Sequence, residues 1–150
     1  PMAATRPVDA HLDKINKHLS ELHTYKDTGD IFARLGYAHA VAMLWTLVEG
    51  AMKCMLTQAQ IPLPTGASTH ADTFRMFLSG DRRLPDLTSI NQELKDLLFH
   101  RHFMSKLSDY NTNFRWDQVP PLDVVFKAVE KLVTLFDKFV PPPADSTEGQ

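Results

Sequence analysis

The sequence has few of the features that mark several large classes of protein. It contains a single cysteine, Cys54, which excludes a disulfide framework and is typical of a buried structural thiol. It has no CxxC pair, no glycine-rich phosphate loop and no G-x-S-x-G motif, which argues against the commonest zinc, P-loop and serine-hydrolase sites. The formal net charge is only -2, so no strong overall field attracts nucleic acid or an anionic membrane. The net charge does not exclude a local basic patch.

Segments with the alternating pattern of β-strands are also missing, and what is present predicts one helical domain. The 150 residues fit a single domain, and a hydrophobic content of 43% is enough for a core. We expect a flexible arm at residues 1–7, a helical bundle over 8–140 and a disordered polar tail at 141–150. The first residues contain no apolar segment of the signal-peptide type, so we expect a cytoplasmic protein.

The apolar stretch at residues 31–55 predicts the central helix of this bundle. Between residues 35 and 48 it has no Asp, Glu, Lys or Arg, and apolar side chains fall on every face, which is typical of a buried helix. The uncharged run is shorter than the roughly 20 residues that cross a bilayer, so we expect no membrane span. Glu49 and Lys53 follow at i,i+4 spacing and predict a return to solvent. At Gly36 and Gly50 we expect a neighbouring helix to approach closely.

Four further helices are predicted from the spacing of apolar residues and from cap and stop signals. Asp9 is a candidate cap for the first of them. The fourth helix along the chain opens with Ser89-Ile90-Asn91-Gln92, the pattern of a capping box. The expected ranges are 9–25, 68–78, 89–108 and 122–140. Together with the central helix they predict an all-α antiparallel bundle of four or five helices.

The fourth helix carries the most chemically suggestive triplet, His100-Arg101-His102. Residues two apart on a helix do not share a face, so the two histidines predict no metal pair, and we expect no metal and no cofactor. Arg101 falls within the expected inner stripe of the helix, where its charge requires an acid, a carbonyl group or a cleft. Two interpretations of this face of the helix therefore remain: an edge that binds RNA or another anion, and an ordinary solvated face.

Other polar residues at helix ends and on the central helix are weaker candidates. Arg34 and Tyr37 share one face at i,i+3 spacing, whereas His39 points elsewhere and is expected to be a hydrogen-bonded interior histidine. His70 lies in a Ser-Thr-His segment that is also typical of a helix cap. The binding candidates are Arg34, Tyr37, His70, Lys106, Asp109 and Tyr110.

These segments occur in an order that resembles the HEPN superfamily, small helical domains associated with nucleotides and RNA. The segments are Arg34-x-x-Tyr37-Ala38, Ser68-Thr69-His70-x-x-x-Phe74-x-x-Phe77 with Gly80, the turn Leu84-Pro85, Glu93-Leu94-Lys95 and Ser108-Asp109-Tyr110. The resemblance covers residues 32–136 and is strongest to short prokaryotic HEPN proteins, which are often paired with a minimal nucleotidyltransferase. It implies a HEPN-like bundle of four or five helices that dimerises around a cleft.

The resemblance also implies the classes of function to consider. Many members are metal-independent endoribonucleases, some of them toxins, and it makes Arg101, His102 and His100 the candidate catalytic residues. In active members the histidine follows the arginine after several residues, whereas His102 directly follows Arg101 here. We therefore expect a protein that binds RNA, a nucleotide or a nucleotidyltransferase-like partner, as one half of a toxin–antitoxin-type pair. A ribonuclease is the alternative, and a helical protein–protein adaptor is the third interpretation.

A second apolar row on the fourth helix predicts self-association. Phe99, Phe103 and Leu107 repeat at i,i+4 spacing, away from the stripe expected to face the core. A row of this kind without a partner in its own bundle often marks an interface. We expect a homodimer with two-fold symmetry.

Overall fold

The computed structural model is a bundle of α-helices, with no strand among the residues that it describes. These are residues 6–25, 31–106 and 122–143, without the side chains at 25, 31–35 and 122. The helices are α1 (Pro7–Tyr25), α2 (Ile31–Gln58), α3 (Thr69–Met76), α4 (Asn91–Ser105) and α5 (Leu122–Lys138), with a 3₁₀ turn at Thr88–Ile90. The predicted all-α class is confirmed, while a HEPN-like topology stays a prediction.

Four of the helices close a ring around the core. α2 packs against α1 and α4, and α5 packs against the same two helices from the other side, while α3 lies on α2. In α1, His11 lies beside Gly50 of α2 and His18 bonds to the carbonyl of Ala40, so these two helices run antiparallel. Arg6 before α1 and His23 near its end contact opposite ends of α5, which gives a second antiparallel pair.

The core is formed by the apolar stripes that the periodicity predicts. On α1 the buried stripe is Leu12, Ile15, Leu19 and Leu22, and on α5 it is Val125, Val129, Leu132 and Phe136. α2 contributes the largest buried side chain, Trp45, whose ring meets Phe74 of α3 edge-on. The last helix was expected to reach residue 140, but it ends at Lys138, and Val140 lies two residues beyond it and is exposed.

The helix starts differ from those predicted. Residues 6 and 7 belong to the fold rather than to an arm, because α1 begins at Pro7 and the Arg6 guanidinium bonds to Asp9 and to Asp137. Asp9 accepts the Arg6 backbone N–H from within the first turn, so it caps the helix from inside. The capping box at Ser89 is wrong, because a 3₁₀ turn occupies that position and α4 begins at Asn91 without a side-chain cap.

α2 is buried on most of its surface but not on all of it. Gly36, His39, Met43 and Thr46 form a solvent-facing stripe, and Met43 is 58% exposed. The expectation that every face is buried is therefore wrong. A close helix approach is confirmed at Gly50, where an added Cβ would lie 3.3 Å from His11 Nδ1, whereas a Cβ added at Gly36 would meet no neighbouring helix within 4 Å.

By length and apolarity alone, the described part of the chain contains one helical segment that could cross a membrane, Gly36–Gln58. In the fold, 56% of its most apolar window is buried against the other helices, as in the core helix of a bundle.

Candidate functional site

The most distinctive polar feature of the described chain is the carboxylate of Glu49, which lies in the core with only 5% of its surface exposed. Trp45 Nε1 donates to Glu49 Oε1 at 2.8 Å from one helical turn earlier. Lys53 Nζ donates to Oε2 at 2.9 Å from one turn later. The spacing of Glu49 and Lys53 predicted a solvated pair, and that prediction is wrong, because α3 covers Glu49.

α3 brings the third donor to this carboxylate. Phe74 anchors the short helix against Trp45, with ring centroids 5.8 Å apart. One turn after Thr69, the hydroxyl of Thr73 donates to the carbonyl of Thr69 at 2.8 Å. His70 is thereby held so that its Nδ1 lies 2.5 Å from Glu49 Oε1. Since a carboxylate only accepts, Nδ1 carries the proton, and Nε2 is the ring nitrogen left for another partner.

The last turns of α4 bring a second histidine to the same place. The ring of His102 meets the His70 ring edge-on, with centroids 5.9 Å apart. Arg101 is the preceding residue, and Lys106 lies one turn further on, at the end of α4. Arg101 and His102 are half-buried and Lys106 is exposed. We call His70, Arg101, His102 and Lys106 the basic cluster, and Glu49 with Trp45 and Lys53 its support.

The surroundings of Glu49 and of His102 lower the pKa of each group for different reasons. Burial raises the pKa of Glu49, but hydrogen bonds from Lys53, His70 and Trp45 outweigh it, so the pKa lies below its ordinary value. Burial lowers the pKa of His102, and the charges of Arg101, His70 and Lys106 lower it further, against a smaller opposing effect of Glu49. At neutral pH Glu49 is therefore an ionised carboxylate, and His102 is a neutral imidazole beside cations.

His100 does not belong to this cluster. It is fully buried, and its Nε2 donates to the carbonyl of Ala38 in α2 at 2.9 Å. Burial is the main reason that the pKa of His100 is lowered, so the ring is neutral in the core. This burial argues against the candidate catalytic role of His100, because its ring has no exposed surface for a substrate to contact. His100 also takes the inner position predicted for Arg101, since a histidine enters a core by staying neutral and an arginine does not.

The remaining candidates fall into three groups. Tyr37 is buried and packs in the core, and His39, expected inside, is exposed on α2. Arg34 lies in the first turns of α2, but its side chain is outside the described residues. Asp109 and Tyr110 also lie outside them, so those two candidates stay predictions.

Sequence reasoning missed the support entirely. The sequence does contain a signal for it, because Trp45, Glu49 and Lys53 repeat at i,i+4 spacing along one face of α2. An acid one turn after a core tryptophan can be buried because the indole N–H donates a hydrogen bond to its carboxylate. What the spacing does not contain is the position of α3, which decides whether that face meets water or protein.

Two other kinds of chemistry are not supported by the described residues. They contain no group of three or more His, Cys, Asp or Glu side chains placed to hold a metal ion. Cys54 is half-buried, and burial raises the pKa of its thiol, which disfavours the reactive thiolate. The basic cluster is therefore the best candidate functional site.

Comparison with known proteins gives no match to a family model, to a curated protein or to a solved structure.

Proposed function

We propose that this chain binds RNA or a nucleotide, and that it holds the ligand's phosphate at the basic cluster where α4 ends beside α3. The observation that carries the proposal is the surroundings of His102, with His70, Arg101 and Lys106 close enough to lower its pKa. Arg and Lys side chains at the protein surface supply most of the affinity for nucleic acid. The HEPN resemblance, which includes His70 and makes Arg101 and His102 candidate residues, implies the same class of ligand.

The charges of Arg101 and Lys106 are not paired with an acid of the described residues. The nearby carboxylate of Glu49 already accepts from Trp45, Lys53 and His70. Within residues 6–25, 31–106 and 122–143, neither Arg101 nor Lys106 forms an ion pair. An anion placed here would meet donors whose charge is not yet compensated by an acid of the described chain.

Basic side chains at a helix C-terminus also have a purely structural role, because they offset the negative end of the helix dipole. The two roles predict different consequences of mutation. A structural role lowers the free energy of unfolding, whereas a binding role lowers affinity and leaves the fold unchanged. Both quantities are therefore measured on the same variants.

The experiment is a fluorescence-anisotropy titration of labelled single-stranded RNA with wild type, Arg101→Ala and Lys106→Ala. Each loss is expected to weaken binding and to reduce the slope of log affinity against log salt by about 1 or slightly less. Arg82→Ala and Lys17→Ala are matched controls, because both side chains are exposed, lie outside the basic cluster and form no ion pair in the described chain. Equal affinity and salt slope for the Arg101→Ala/Lys106→Ala double variant and wild type would contradict the proposal.

A metal-independent ribonuclease is the second candidate, and the lowered pKa of His102 favours it. A neutral imidazole accepts the proton of a ribose 2′-OH, and Arg101 next to it is placed to stabilise negative charge on the phosphate. The test is cleavage of single-stranded RNA in EDTA. Loss of roughly two orders of magnitude in rate for His102→Ala, with His100→Gln as the buried control, would establish it. Binding without cleavage leaves the recognition role.

The HEPN resemblance adds a proposal about partners. The resemblance implies a homodimer. It also implies that a nucleotidyltransferase-like protein binds this homodimer, as in a toxin–antitoxin pair. Co-purification of the chain with a nucleotidyltransferase encoded beside it is the direct test. If the purified protein neither binds nor cleaves RNA, the adaptor interpretation takes precedence.

A further inference from the structure

The ring of His70 presents one nitrogen away from the core. Its Nδ1 proton is committed to Glu49 Oε1 at 2.5 Å, and 33% of the side chain is exposed. A second proton, on Nε2, turns that atom into a donor for an anion, and the carboxylate behind the ring balances the added charge. Glu49 thus orients His70 and leaves the outer face of the ring for a ligand.

His102 responds to what is bound beside it. In the empty site, burial and the charges of Arg101, His70 and Lys106 keep its pKa below the ordinary value. These same cations attract an anion, and an anion in contact with the ring favours the protonated form. A ligand with more negative charge therefore gains more from His102 than one with less.

The number of donors distinguishes two kinds of phosphate. A phosphomonoester carries a charge of about -1.5 to -2 near neutral pH and has three terminal oxygens. An internal phosphodiester has one negative charge and two non-bridging oxygens. The basic cluster contains four cationic or protonatable side chains on two helices, and its nearby carboxylate is already bound from three sides.

We infer that the basic cluster recognises a terminal phosphate, a phosphomonoester dianion such as the end of an RNA strand or the phosphate of a nucleotide, in preference to an internal phosphodiester. In this arrangement Arg101 and Lys106 anchor the phosphate by charge. His70 in its protonated form, held by Glu49, donates from Nε2, and His102 acts as a donor once it has taken up a proton. This inference rests on the proposed function and specifies the ligand of the same site.

The first experiment compares one short single-stranded RNA in three forms: 5′-phosphorylated, 3′-phosphorylated and without a terminal phosphate. Calorimetric titration is expected to give about tenfold tighter binding of at least one phosphorylated form, the gain from roughly one charge-assisted hydrogen bond. A nucleoside monophosphate and its nucleoside form a second arm, which separates a free nucleotide from an RNA end as the source of the phosphate.

The second experiment assigns the preference to the histidines. His102→Gln keeps a polar side chain that does not titrate, and it is expected to remove most of the preference for the phosphorylated strand. His39→Gln, at an exposed position on α2, is the matched control and is expected to bind like wild type. Titration in two buffers of different ionisation enthalpy should show proton uptake with wild type and less uptake with His102→Gln.

The outcomes separate this inference from the function that it rests on. If RNA and nucleotides do not bind in any form, the proposed function itself fails. If RNA binds equally well with and without a terminal phosphate, and the nucleoside monophosphate binds no better than its nucleoside, the proposed function survives and the preference is refuted. Preference that persists in His102→Gln, without a change in proton uptake, would refute the role of this histidine.

Discussion

Replacing Glu49 with alanine is expected to destabilise the protein by about 3 kcal/mol, because it removes the acceptor of a buried indole. Trp45 has no exposed surface, so its N–H loses the one acceptor that it has in the core. Leaving a buried donor unsatisfied costs about 1–3 kcal/mol. Lys53 and His70 are each about one-third exposed and regain water, so most of the loss comes from Trp45 and from the vacated volume.

Glu49→Gln is the matched conservative change and is expected to cost about 1–2 kcal/mol. Its amide oxygen can occupy the Oε1 position and accept from Trp45 and His70, while its amide nitrogen faces the Lys53 ammonium and loses that bond. Lys53 is partly exposed and turns to solvent. The expected order of stability is therefore wild type, then Gln, then Ala.

Urea unfolding followed by far-ultraviolet circular dichroism measures these differences without relying on the substituted tryptophan. In a double-mutant cycle, Trp45→Phe should cost less in the Glu49→Ala background than in wild type, by about 1–2 kcal/mol, because the unpaired donor has already been created. A Glu49→Ala variant within about 0.5 kcal/mol of wild type, or a cycle with no coupling, would refute the buried hydrogen-bond cluster.

The same cluster predicts an effect of pH with a definite sign. Because the pKa of Glu49 is lowered in the folded state, the stability that it contributes is present above the ordinary value of 4.5 and is lost as pH falls below it through the folded pKa. The difference in unfolding free energy between wild type and Glu49→Gln should therefore be constant near neutral pH and should shrink in acid.

Three further predictions concern other parts of the fold. Burial lowers the pKa of His100 below 6.5, so the unfolded chain binds more protons than the folded chain just below that pH. Wild type should therefore lose stability in that range. In urea unfolding at each pH, His100→Gln should lose less. Phe99 is 59% exposed on α4, and light scattering is expected to give twice the 17.0 kDa chain mass for wild type and a lower mass for Phe99→Ser. Thermal melting should show stabilisation by up to about 1 kcal/mol for Gly36→Ala, whose added methyl meets nothing within 4 Å in α2, and destabilisation for Gly80→Ala, where φ is +81°.

The helical class was predictable because the amphipathic stripes are simple. On α1 and α5, apolar residues repeat every three or four positions and the intervening residues are polar, so the buried face is unambiguous. Helix starts were less predictable, because several residues can satisfy the first N–H groups. At Ser89 the sequence fits a capping box, yet the chain forms a 3₁₀ turn and starts α4 two residues later.

α2 illustrates a limit of composition. Its solvent-facing stripe contains Met43 and Gly36, which resemble core residues, while Glu49 on another face resembles a surface residue and is buried. Which face is covered depends on where α3 and α4 pack, and a local pattern does not contain that information. For the same reason, the local pattern did not show whether His100 or Arg101 is the inner residue of α4.

The site was predictable only in part, for a related reason. The sequence identified His70, Arg101, His102 and Lys106 as separate candidates on two segments of the chain. Their proximity follows from the packing of α3 and α4 on α2, which the spacing of these residues does not reveal. The support at Glu49 was missed, since a Glu–Lys pair at i,i+4 spacing usually indicates a solvated face.

The energetics of Glu49 argue that it serves to position His70 more than to stabilise the bundle. Replacing a buried ionic cluster by apolar side chains of similar volume is often neutral or stabilising, because desolvation offsets the attraction between the charges. A Trp45→Phe/Glu49→Leu variant removes the indole donor and the carboxylate together, so it should remain within about 1.5 kcal/mol of wild type in urea unfolding. It leaves His70 without its acceptor, and binding of phosphorylated RNA should weaken even though the fold persists. A stable double variant that binds like wild type would show that the orientation of His70 by Glu49 has no part in recognition.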